Sequence, residues 1–509
     1  MGKWMKRIAV GTVIMTTLSA GITYTLIKRS VSNMFGGHTE TANISLPLMS
    51  LPLEANEVLI IKNVNVLAPT ADAFLENQTV EIKAGKITFV GDDIPSPDTT
   101  EVIDGQSMYL TPGFTDSHVH LWQSPNDLLL YIANGVTHIR EMHGTDLHLR
   151  WKSEIEQGRL GPDIYVVAAQ LATYDFWEGL WVSMTAGRNV VRSKKDIQRK
   201  IKALKTRGFD AVKASSYLRA NGYRWASQEA REQGIPLTGH IPIETTLDDL
   251  WSSHQSEIAH VEEFVKALDR EFGGYKISTA EDYLAFVKDR SSNVAQRVLE
   301  RDIYVTSTLA IIQSFAPQQT DLDATLKSVK LDYVNPGVAE GQAMGWLPHS
   351  NRYRIGDPYK TEGWQDRQNA YWATYAQAQR ILFTAFLEAG VPIMAGTDAN
   401  VPVMVPGFSL HEEMKAMQRA GMSPAQVLAS ATKIPANWMN WPIGQIRKGY
   451  DANLVLLREN PLEDIEATDS IEMVFVNGHV LTRDDLNTML QAVKAANDTS
   501  RKIAIEDFR

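Results

Sequence analysis

Two histidines separated by one residue are the first group in this chain that could hold a metal ion. They are His118 and His120, at the end of the segment FTDSHVH that begins at Phe114. In a β-strand, residues i and i+2 point to the same face, so both imidazoles can reach one cation. Taken alone the pattern is weak, because two histidines on a solvated strand have the same spacing. None of the 509 residues is cysteine, so a metal would need nitrogen and oxygen ligands.

Three further side chains with metal-binding atoms end apolar segments that are predicted as strands. His240 ends LTGH, His260 ends EIAH, and Asp398 follows MAGT. Each stands at the carboxyl end of its own predicted strand, the fifth, sixth and eighth of a series. Packing alone does not require a ligand donor at each of these ends, so the pattern favours a metal site that draws on several strands.

A lysine inside an apolar segment is the next unusual feature. Lys213 lies in FDAVKAS, the fourth predicted strand, where burial of an unpaired ammonium would be costly. One interpretation is an ion pair with an inward-facing carboxylate. The other is that the neutral amine has reacted with carbon dioxide to give a carbamate, an anionic ligand that bridges two cations.

These residues require strands whose carboxyl ends meet at one place. Short apolar segments alternate with helical stretches, which predicts parallel strands joined by crossover helices. The eight predicted strands span residues 110–121, 135–143, 163–172, 211–217, 236–242, 257–264, 304–309 and 392–399. This series predicts an α/β fold, a (β/α)8 TIM-like barrel whose active site lies at the carboxyl ends of its strands.

Segments near both ends of the chain predict a second, smaller domain. Residues 58–66, 79–90, 107–110, 451–457 and 471–480 show β-branched enrichment and turn signals such as Asn477-Gly478. We predict a β-sandwich domain formed by residues 57–110 and 437–483. Residues 111–436 then form the barrel, and residues 484–509 form a C-terminal helical tail.

The first 29 residues have the pattern of an export segment. Lys3, Lys6 and Arg7 precede twenty uncharged residues, 8–27, and two basic residues follow. Both a signal peptide and a membrane anchor have this pattern, and we favour an uncleaved anchor followed by a linker over residues 30–56. We expect an exported protein, periplasmic or extracellular, that this N-terminal segment tethers to the inner membrane if it is retained.

Composition excludes several classes of protein. With 44% hydrophobic and 22% charged residues, the chain has globular rather than disordered character. A net charge of −10 argues against a nucleic-acid binder, which needs a basic face to neutralise phosphates. The absence of cysteine excludes a disulfide scaffold and a thiol nucleophile.

The motifs together resemble the amidohydrolase superfamily, in the binuclear-zinc branch related to imidazolonepropionase and to dipeptidases of the prolidase and Xaa-Arg type. The resemblance covers roughly residues 58–480. It depends on TPGFTDSHVH (111–120), GVTHIRE (135–141), the strand of Lys213, His240, His260, AGTDA (395–399), LHEEM (410–414), SATKIPA (430–436) and the following IGQIRKGYDANLVLL.

The resemblance implies a role for each ligand residue. His118 and His120 would bind the more buried of two divalent ions, and His240 and His260 the more exposed one. Carboxylated Lys213, which carries carbon dioxide as a carbamate, would bridge the two ions. Zn²⁺ is the favoured metal, with Mn²⁺ or Co²⁺ as alternatives.

The resemblance also implies a mechanism. A hydroxide that bridges the ions attacks a carbonyl, while Asp398 binds the first ion, takes the proton and delivers it to the leaving nitrogen. Tyr217 and His143 resemble positions that polarise the carbonyl and contact the substrate carboxylate in related dipeptidases. A buried tyrosine with one hydrogen-bond partner and a solvated loop histidine are the structural alternatives.

We therefore predict a metal-dependent amidohydrolase that cleaves the C–N bond of a small peptide-like or N-acyl amino-acid substrate. The alternatives are a binuclear esterase, lactonase or phosphotriesterase, and a non-catalytic barrel that serves as an interaction protein. A mononuclear deaminase is disfavoured, because that branch has no bridging lysine and needs a carboxylate near the fifth-strand ligand, where only Glu244 is available.

Two aromatic-rich segments are candidates to shape the substrate pocket. Aromatic residues are dense in YDFWEGLW (174–181) and recur in the long insertion 310–391, which contains Trp346 and Tyr353. Such segments at the carboxyl end of a barrel often shape specificity, but aromatic residues also pack internally or form oligomer contacts. A homo-oligomer is therefore compatible with the sequence.

Overall fold

The computed structural model describes residues 15–19, 21–26, 58–93, 101–341 and 344–508. Residues 15–19 and 21–26 are helical and exposed. The rest of the predicted export segment, and all of the predicted linker, lie outside the described residues. Within the described ranges, no helix is both long enough and apolar enough for a membrane span.

The strands of the described residues fall into three sheets. In chain order they are β1 (Val58–Leu67), β2 (Phe74–Lys83), β3 (Lys86–Gly91), β4 (Glu101–Asp104), β5 (Tyr109–Pro112), β6 (Phe114–Val119), β7 (Val136–Gly144), β8 (Asp163–Ala172), β9 (Asn189–Val190), β10 (Ala211–Ala214), β11 (Leu237–Gly239), β12 (Glu257–Ile258), β13 (Tyr304–Thr306), β14 (Ile393–Met394), β15 (Leu454–Leu457), β16 (Ile471–Val476) and β17 (His479–Thr482).

One sheet joins strands from both ends of the chain. Its order is β17-β16-β15-β5-β1-β2-β3, with β4 paired to β1. The ladder between β15 and β5 is antiparallel, so the backbone itself connects the N-terminal and C-terminal segments. A bridge between Lys86 and Asp451 brings β3 back towards the start of β15. The sheet therefore curls around an apolar core to which both chain ends contribute, for example Leu59, Val80 and Leu454.

The other two sheets consist of parallel strands, which confirms the predicted α/β class. The first has the order β11-β10-β8-β7-β6, with the short β9 beside β8, and the second has the order β12-β13-β14. Parallel bridges join them at both seams, between Leu237 and Gln255 and between Val119 and Ala399. The backbone N–H of Ala259 also donates to Gly239 O at 2.9 Å. The carboxyl ends of β6, β11, β12 and β14 therefore lie close together.

Several parallel strands are shorter than predicted. The fourth ends at Ala214 rather than at residue 217, and the eighth comprises only Ile393–Met394. The sixth was predicted over 257–264, but a helix begins at Glu262, and the seventh, predicted to reach 309, gives way to a helix at Leu309. The residues that follow the sixth and seventh strands, such as His260-Val261 and Ser307-Thr308, mix polar and apolar types without a glycine or proline, so periodicity alone does not mark where the strand ends.

Helices connect and cover the parallel strands. They are α1 (Asp127–Ala133), α2 (Asp146–Glu156), α3 (Phe176–Thr185), α4 (Lys194–Thr206), α5 (Ala220–Gln233), α6 (Leu247–Trp251), α7 (Glu262–Phe272), α8 (Ala280–Glu300), α9 (Leu309–Thr320), α10 (Leu322–Lys327), α11 (Pro336–Ala339), α12 (Trp364–Ala389), α13 (Phe408–Arg419), α14 (Pro424–Ser430), α15 (Lys433–Met439) and α16 (Arg483–Ser500). In α4, for example, Ile197, Ile201 and Leu204 are buried at helical spacing while its lysines face outward.

The long insertion and the C-terminal tail pack against each other. Trp346, which the sequence left as a candidate pocket residue, is fully buried in a cluster with Leu326, Leu331 and Ile505. The predicted helical tail over 484–509 is helical in α16, and only a short 3-10 turn at Glu506–Phe508 follows it. The side chain of Trp346 therefore packs in the interior of the insertion.

Candidate metal centre

The carboxyl ends of the first and last parallel strands bring two histidines and an aspartate together. His118 and His120 lie at the end of β6, and Asp398 lies in the loop after β14. Asp398 Oδ1 is 3.3 Å from His118 Nε2 and 2.9 Å from His120 Nε2. One ligand atom from each residue lies within 4.8 Å of the other two, which is close enough for one metal ion.

Lys213 and the two remaining histidines lie beside this group. Lys213 Nζ is 3.4 Å from His118 Nε2. The ring centroids of His118 and His260 are 4.5 Å apart, and the ring of His240 stacks on that of His260 at 5.4 Å. The structure therefore brings all the residues that the sequence predicted as metal ligands into one cluster.

Lys213 is fully buried, and its environment does not match the ion-pair interpretation. In the part of the chain that the structure describes, no carboxylate forms an ion pair with its Nζ, which contacts His118 Nε2 instead. Burial lowers the pKa of Lys213 to about 8, although Asp398, Glu257 and Glu141 act in the opposite direction. The neutral amine that carbamate formation requires is therefore accessible close to neutral pH.

Two hydrogen bonds orient the histidines of the fifth and sixth strands. His240 Nδ1 lies 3.0 Å from Glu263 Oε1, and His260 Nδ1 lies 3.0 Å from Thr308 Oγ1. In each ring, Nε2 is left for a metal ion, and a carboxylate partner makes an imidazole a better ligand. Burial alone would raise the pKa of Glu263, but Lys266 and His240 outweigh it and hold that pKa well below its usual range.

A buried aspartate fixes the loop that carries Asp398. Asp116 accepts hydrogen bonds from the backbone N–H of His118 at 3.2 Å and of Thr397 at 3.1 Å, and from Thr397 Oγ1 at 2.7 Å. Gly396 lies so close to β6 that an added Cβ would be 3.0 Å from the backbone nitrogen of His118. Because Gly396 has no side chain and the Asp116 carboxylate binds both segments, these two residues together set the distance between Asp398 and the histidine pair.

A buried ion pair lies among the strands that carry the ligands. Arg140, on β7, donates to Glu257 Oε1 on β12 at 2.6 Å, to Thr306 Oγ1 on β13 at 3.0 Å, and to the carbonyl of Ser117 on β6 at 2.6 Å. Arg140 and Glu257 are both buried. These bonds tie together strands from both parallel sheets, so they help to hold the ligand-bearing ends in register.

The protonation states of the cluster suit a cation. Burial lowers the pKa of His118 well below its ordinary value and lowers the pKa of His260 to about 3, so both rings are neutral at pH 7. Burial alone would raise the pKa of Asp398, but the hydrogen bond and charge of His120, with His260 and Lys213, outweigh it and lower that pKa. Neutral imidazoles and an ionised carboxylate are the forms that bind divalent metal ions, so these donors fit such an ion.

The two predicted substrate residues occupy different positions. His143 ends β7 near the cluster, with its ring centroid 6.4 Å from that of His120 and its Nε2 2.8 Å from the carbonyl of Ala186, so it is not a freely solvated loop histidine. Burial lowers the pKa of His143 to about 3. Tyr217 is 55% exposed, so the alternative of a buried, structurally bonded tyrosine is wrong.

An arginine lies beside the exposed Tyr217. We call Arg188, Tyr174 and Tyr217 together the rim of the candidate metal centre. The Arg188 guanidinium lies 5.6 Å from the ring centre of Tyr217 and donates to the hydroxyl of Tyr174. The two tyrosine rings are 6.0 Å apart. This arrangement adds a cation that sequence reasoning did not single out, because its position depends on a loop that folds back from α3.

Other residues of the centre were also missed at the sequence level. The carboxylate beside the fifth-strand ligand is Glu263, not Glu244, which is exposed and 4.0 Å from Arg219. The one available signal was its place three residues after His260. Trp122 stacks on the ring of His120 at 5.1 Å.

One residue of the insertion, Tyr353, lies within electrostatic range of Asp398. Burial raises the pKa of Tyr353, and the negative charge of Asp398 raises it further, so its hydroxyl is protonated near the site. The motif residue His411 lies elsewhere, because its ring nitrogens are 3.0 Å from Thr468 Oγ1 and from the carbonyl of Asn134. No pattern in the sequence distinguished Tyr353 from the other aromatic residues of the insertion.

The chain is similar to several known proteins. Imidazolonepropionase from Idiomarina loihiensis is 46% identical over 66 residues, which are 12% of this chain and 16% of that protein. Bottromycin amidohydrolase has a similar structure, with a TM-score of 0.66, 20% identity, and 92% and 93% of the two chains covered. A prolidase complexed with N-methylphosphonate-L-proline gives a TM-score of 0.61 at 18% identity over 84% of this chain and 99% of its own.

The sequence relatives cover only a short stretch, and the structural relatives share the fold at low identity. The sequence model of the amidohydrolase family matches a much longer part of this chain, residues 109–481, from β5 to the last strand. That range includes the histidine pair, the buried lysine and the aspartate of the cluster. The chain belongs to the amidohydrolase family.

Proposed function

We propose that this protein is a binuclear metal-dependent amidohydrolase that hydrolyses the amide bond of a small peptide-like or N-acyl amino-acid substrate. The ligand cluster stands where a (β/α)8 barrel has its active site, at the carboxyl ends of parallel strands. Membership of the amidohydrolase family supports hydrolysis of a C–N bond. The substrate class and the two-metal arrangement are the parts that we propose.

The observation that carries the proposal is the position of Lys213. A fully buried lysine without a carboxylate ion-pair partner among the described residues is costly. The Nζ of this one is 3.4 Å from His118 Nε2, and the ring of His118 contacts that of His260. Carbamylation would convert the ammonium into an anion that belongs between two cations. We propose Zn²⁺ as the metal, with Mn²⁺ or Co²⁺ as alternatives.

The side chains of the cluster have different roles in the proposed hydrolysis. Two divalent ions held there would polarise a substrate carbonyl and lower the pKa of a water molecule. Asp398, whose Oδ1 is 2.9 Å from His120 Nε2, is placed to take a proton at a carboxylate oxygen and return it to the leaving nitrogen. Glu263 and Thr308 hold the rings of His240 and His260 in the orientation that presents Nε2.

A substrate that carries a carboxylate would find cationic and polar partners at the rim. The Arg188 guanidinium lies 5.8 Å from the ring centre of Tyr174 and 5.6 Å from that of Tyr217, and the ring centroid of His143 is 6.4 Å from that of His120. The related prolidase structure holds a proline-containing phosphonate, which supports a peptide-like substrate here. We propose that Arg188 pairs with the substrate carboxylate and that Tyr217 and His143 contact the scissile group.

Hydrolysis of esters, lactones or phosphotriesters is the second candidate function, because the same centre would activate water against those electrophiles. Turnover of a panel of dipeptides and N-acyl amino acids, set against esters, lactones and phosphotriesters, separates the two. A non-catalytic barrel is the third alternative. The complete set of ligands in one cluster favours an enzyme over that alternative.

The metal content of the purified protein tests the proposal. After reconstitution with zinc and bicarbonate, we expect two metals per chain, and at most one in the Lys213→Ala variant. Lys152→Ala is the control, since Lys152 pairs with Asp210 at 2.8 Å outside the cluster, and it should keep both metals. Fewer than two metals in the unmutated protein, or two in Lys213→Ala, would count against the binuclear centre.

We also propose that the protein is exported and acts in the periplasm or outside the cell. The basic residues and the uncharged stretch of residues 1–29 support this localisation. Cell fractionation of the producing organism tests it. Recovery of the protein in the cytosolic fraction alone would contradict the proposal.

A further inference from the structure

Helix α3 presents a continuous apolar face to solvent. Five large side chains on its three turns are exposed, with Trp177 at 74% and Trp181 at 56% exposure; the five are Phe176, Trp177, Leu180, Trp181 and Met184. Their positions i, i+1, i+4, i+5 and i+8 place them on one side of the helix. Scattered apolar residues are common on protein surfaces, but a grouped face of this size marks an interaction site.

The opposite face of α3 is the one that packs. Gly179 and Thr185 are buried, and an added Cβ at Gly179 would collide with the guanidinium of Arg192. Arg192 also donates to the carbonyls of Tyr174 at 3.1 Å and Asp175 at 2.8 Å. The helix is therefore fixed on the body of the protein in the orientation that turns its tryptophans outward.

The sequence around α3 is rich in basic residues. Residues 171–207 contain nine Lys and Arg residues against three Asp and Glu residues, although the whole chain has a net charge of −10. Lys194, Lys195 and Arg199, at the start of the following helix, are exposed. A tryptophan-rich apolar face flanked by lysine and arginine matches helices that lie in the interface of an anionic membrane.

Two features favour a bilayer over a second copy of this chain as the occupant. A positive flank on an otherwise acidic protein complements anionic lipid headgroups, whereas a second copy of this chain would bring a like-charged flank. The uncharged run of residues 8–27, with basic residues on both sides, also predicts a location at a membrane. We propose that α3 and the basic start of α4 dock the protein onto an anionic bilayer surface, with the aromatic side chains in the interfacial layer.

Docking in this way would bring the catalytic end of the protein to the lipid. Helix α3 begins four residues after the carboxyl end of β8, and Tyr174 just before it packs against Tyr217. The rim of the candidate metal centre would then face the membrane, from which amphiphilic substrates such as acylated amino acids are accessible. The docking proposal itself concerns binding, and it holds or fails independently of the activity proposed above.

The absence of cysteine permits a direct test in the full chain. Leu180→Cys, labelled with the fluorophore NBD, is mixed with vesicles of equal parts phosphatidylglycerol and phosphatidylethanolamine. We expect a blue shift of the emission and quenching by a spin-labelled lipid. Leu299→Cys is the matched control, because Leu299 is also exposed but ends α8, just before β13 begins, at the opposite end of the strands. Its label should respond to neither.

A second comparison tests the electrostatic part of the docking. Replacing Lys194 and Lys195 by glutamine in the labelled Leu180→Cys chain should raise the lipid concentration for half-maximal shift roughly 25-fold, about fivefold for each lysine. Both proteins keep the N-terminal segment, so the difference reports the two lysines. An unresponsive label at position 180 on vesicle-bound protein would overturn the proposal. A shift that needs no vesicles and grows with protein concentration would also overturn it, and would identify α3 as a contact between copies of the chain.

Discussion

Replacing Glu263 by glutamine should weaken metal binding at the His240 end of the cluster without changing the shape of the site. Glu263 accepts hydrogen bonds from His240 Nδ1 and from the backbone N–H of Ile241, each at 3.0 Å, and faces Lys266 Nζ at 3.0 Å. Glutamine keeps the length of the side chain and one acceptor oxygen. It removes the negative charge that orients the imidazole and increases the basicity of its Nε2.

The expected size of the effect follows from that hydrogen bond. A bond to a charged group contributes about 1.5–3 kcal/mol, and about 1.4 kcal/mol corresponds to a tenfold change in affinity. Loss of the partner behind a metal-binding histidine lowers metal affinity about 10–100-fold. We expect a decrease of that order for the ion at His240 and His260. The affinity for the ion at His118 and His120 should stay unchanged, because Glu263 bonds to neither ring.

Titration of metal-free protein with Zn²⁺, followed by calorimetry and by metal analysis, measures the two affinities separately. Glu262→Gln is the matched control: its carboxylate contacts Lys266 at 2.9 Å and the hydroxyl of Tyr375 at 2.9 Å, so it loses a comparable ion pair on the same helix. Equal losses of affinity in the two variants, or no loss in Glu263→Gln, would refute the assignment of Glu263 as the partner that orients His240.

Two further predictions concern the stability of the fold. Burial lowers the pKa of His138 from 6.5 to about 3, so between those pH values the unfolded chain binds a proton that the folded protein excludes. The free energy of unfolding should fall with decreasing pH in this window by up to about 1.4 kcal/mol per pH unit on account of this residue. Urea unfolding at several pH values should show that the free energy of unfolding of His138→Gln depends less steeply on pH; an unchanged dependence on pH would contradict this. Gly239→Ala should destabilise the protein by roughly 1–3 kcal/mol more than Gly208→Ala. Both glycines have a positive φ near 100°, but only at Gly239 would the new Cβ meet the side chain of Lys213, at 2.6 Å; equal melting temperatures for the two variants would be the contrary result.

The candidate ligand residues could be identified from the sequence because each of them stands in a recognisable local pattern. The i, i+2 spacing of His118 and His120 follows from strand geometry, and the other donors stand at the ends of apolar strand segments. Parallel strands place their carboxyl ends at one edge, so strand order and strand ends were sufficient to predict that these residues meet. The structure describes them in one cluster.

Contacts between residues that are distant in the sequence were not accessible in the same way. The sequence offered only Glu244 as a carboxylate near His240, whereas the structure places Glu263 there, because that contact depends on where α7 begins and the residues before it do not mark that point. Trp346 and Tyr353 lie seven residues apart in the same insertion, yet one is core and the other lies near Asp398. Their environments follow from the path of the whole insertion rather than from their own residue types.

The sequence by itself therefore determined the family, the α/β class and the residues available to bind metal, because these depend on local spacing and on the order of strands. Only the tertiary structure decided which side chains support the ligands and which face solvent. It showed Lys213 buried without an ion-pair partner among the described residues, Tyr217 at an exposed rim, and the tryptophans of α3 turned outward. Which residues are buried, and which contact each other, depends on how segments that are distant in the sequence pack together. Local periodicity carries no information about that packing.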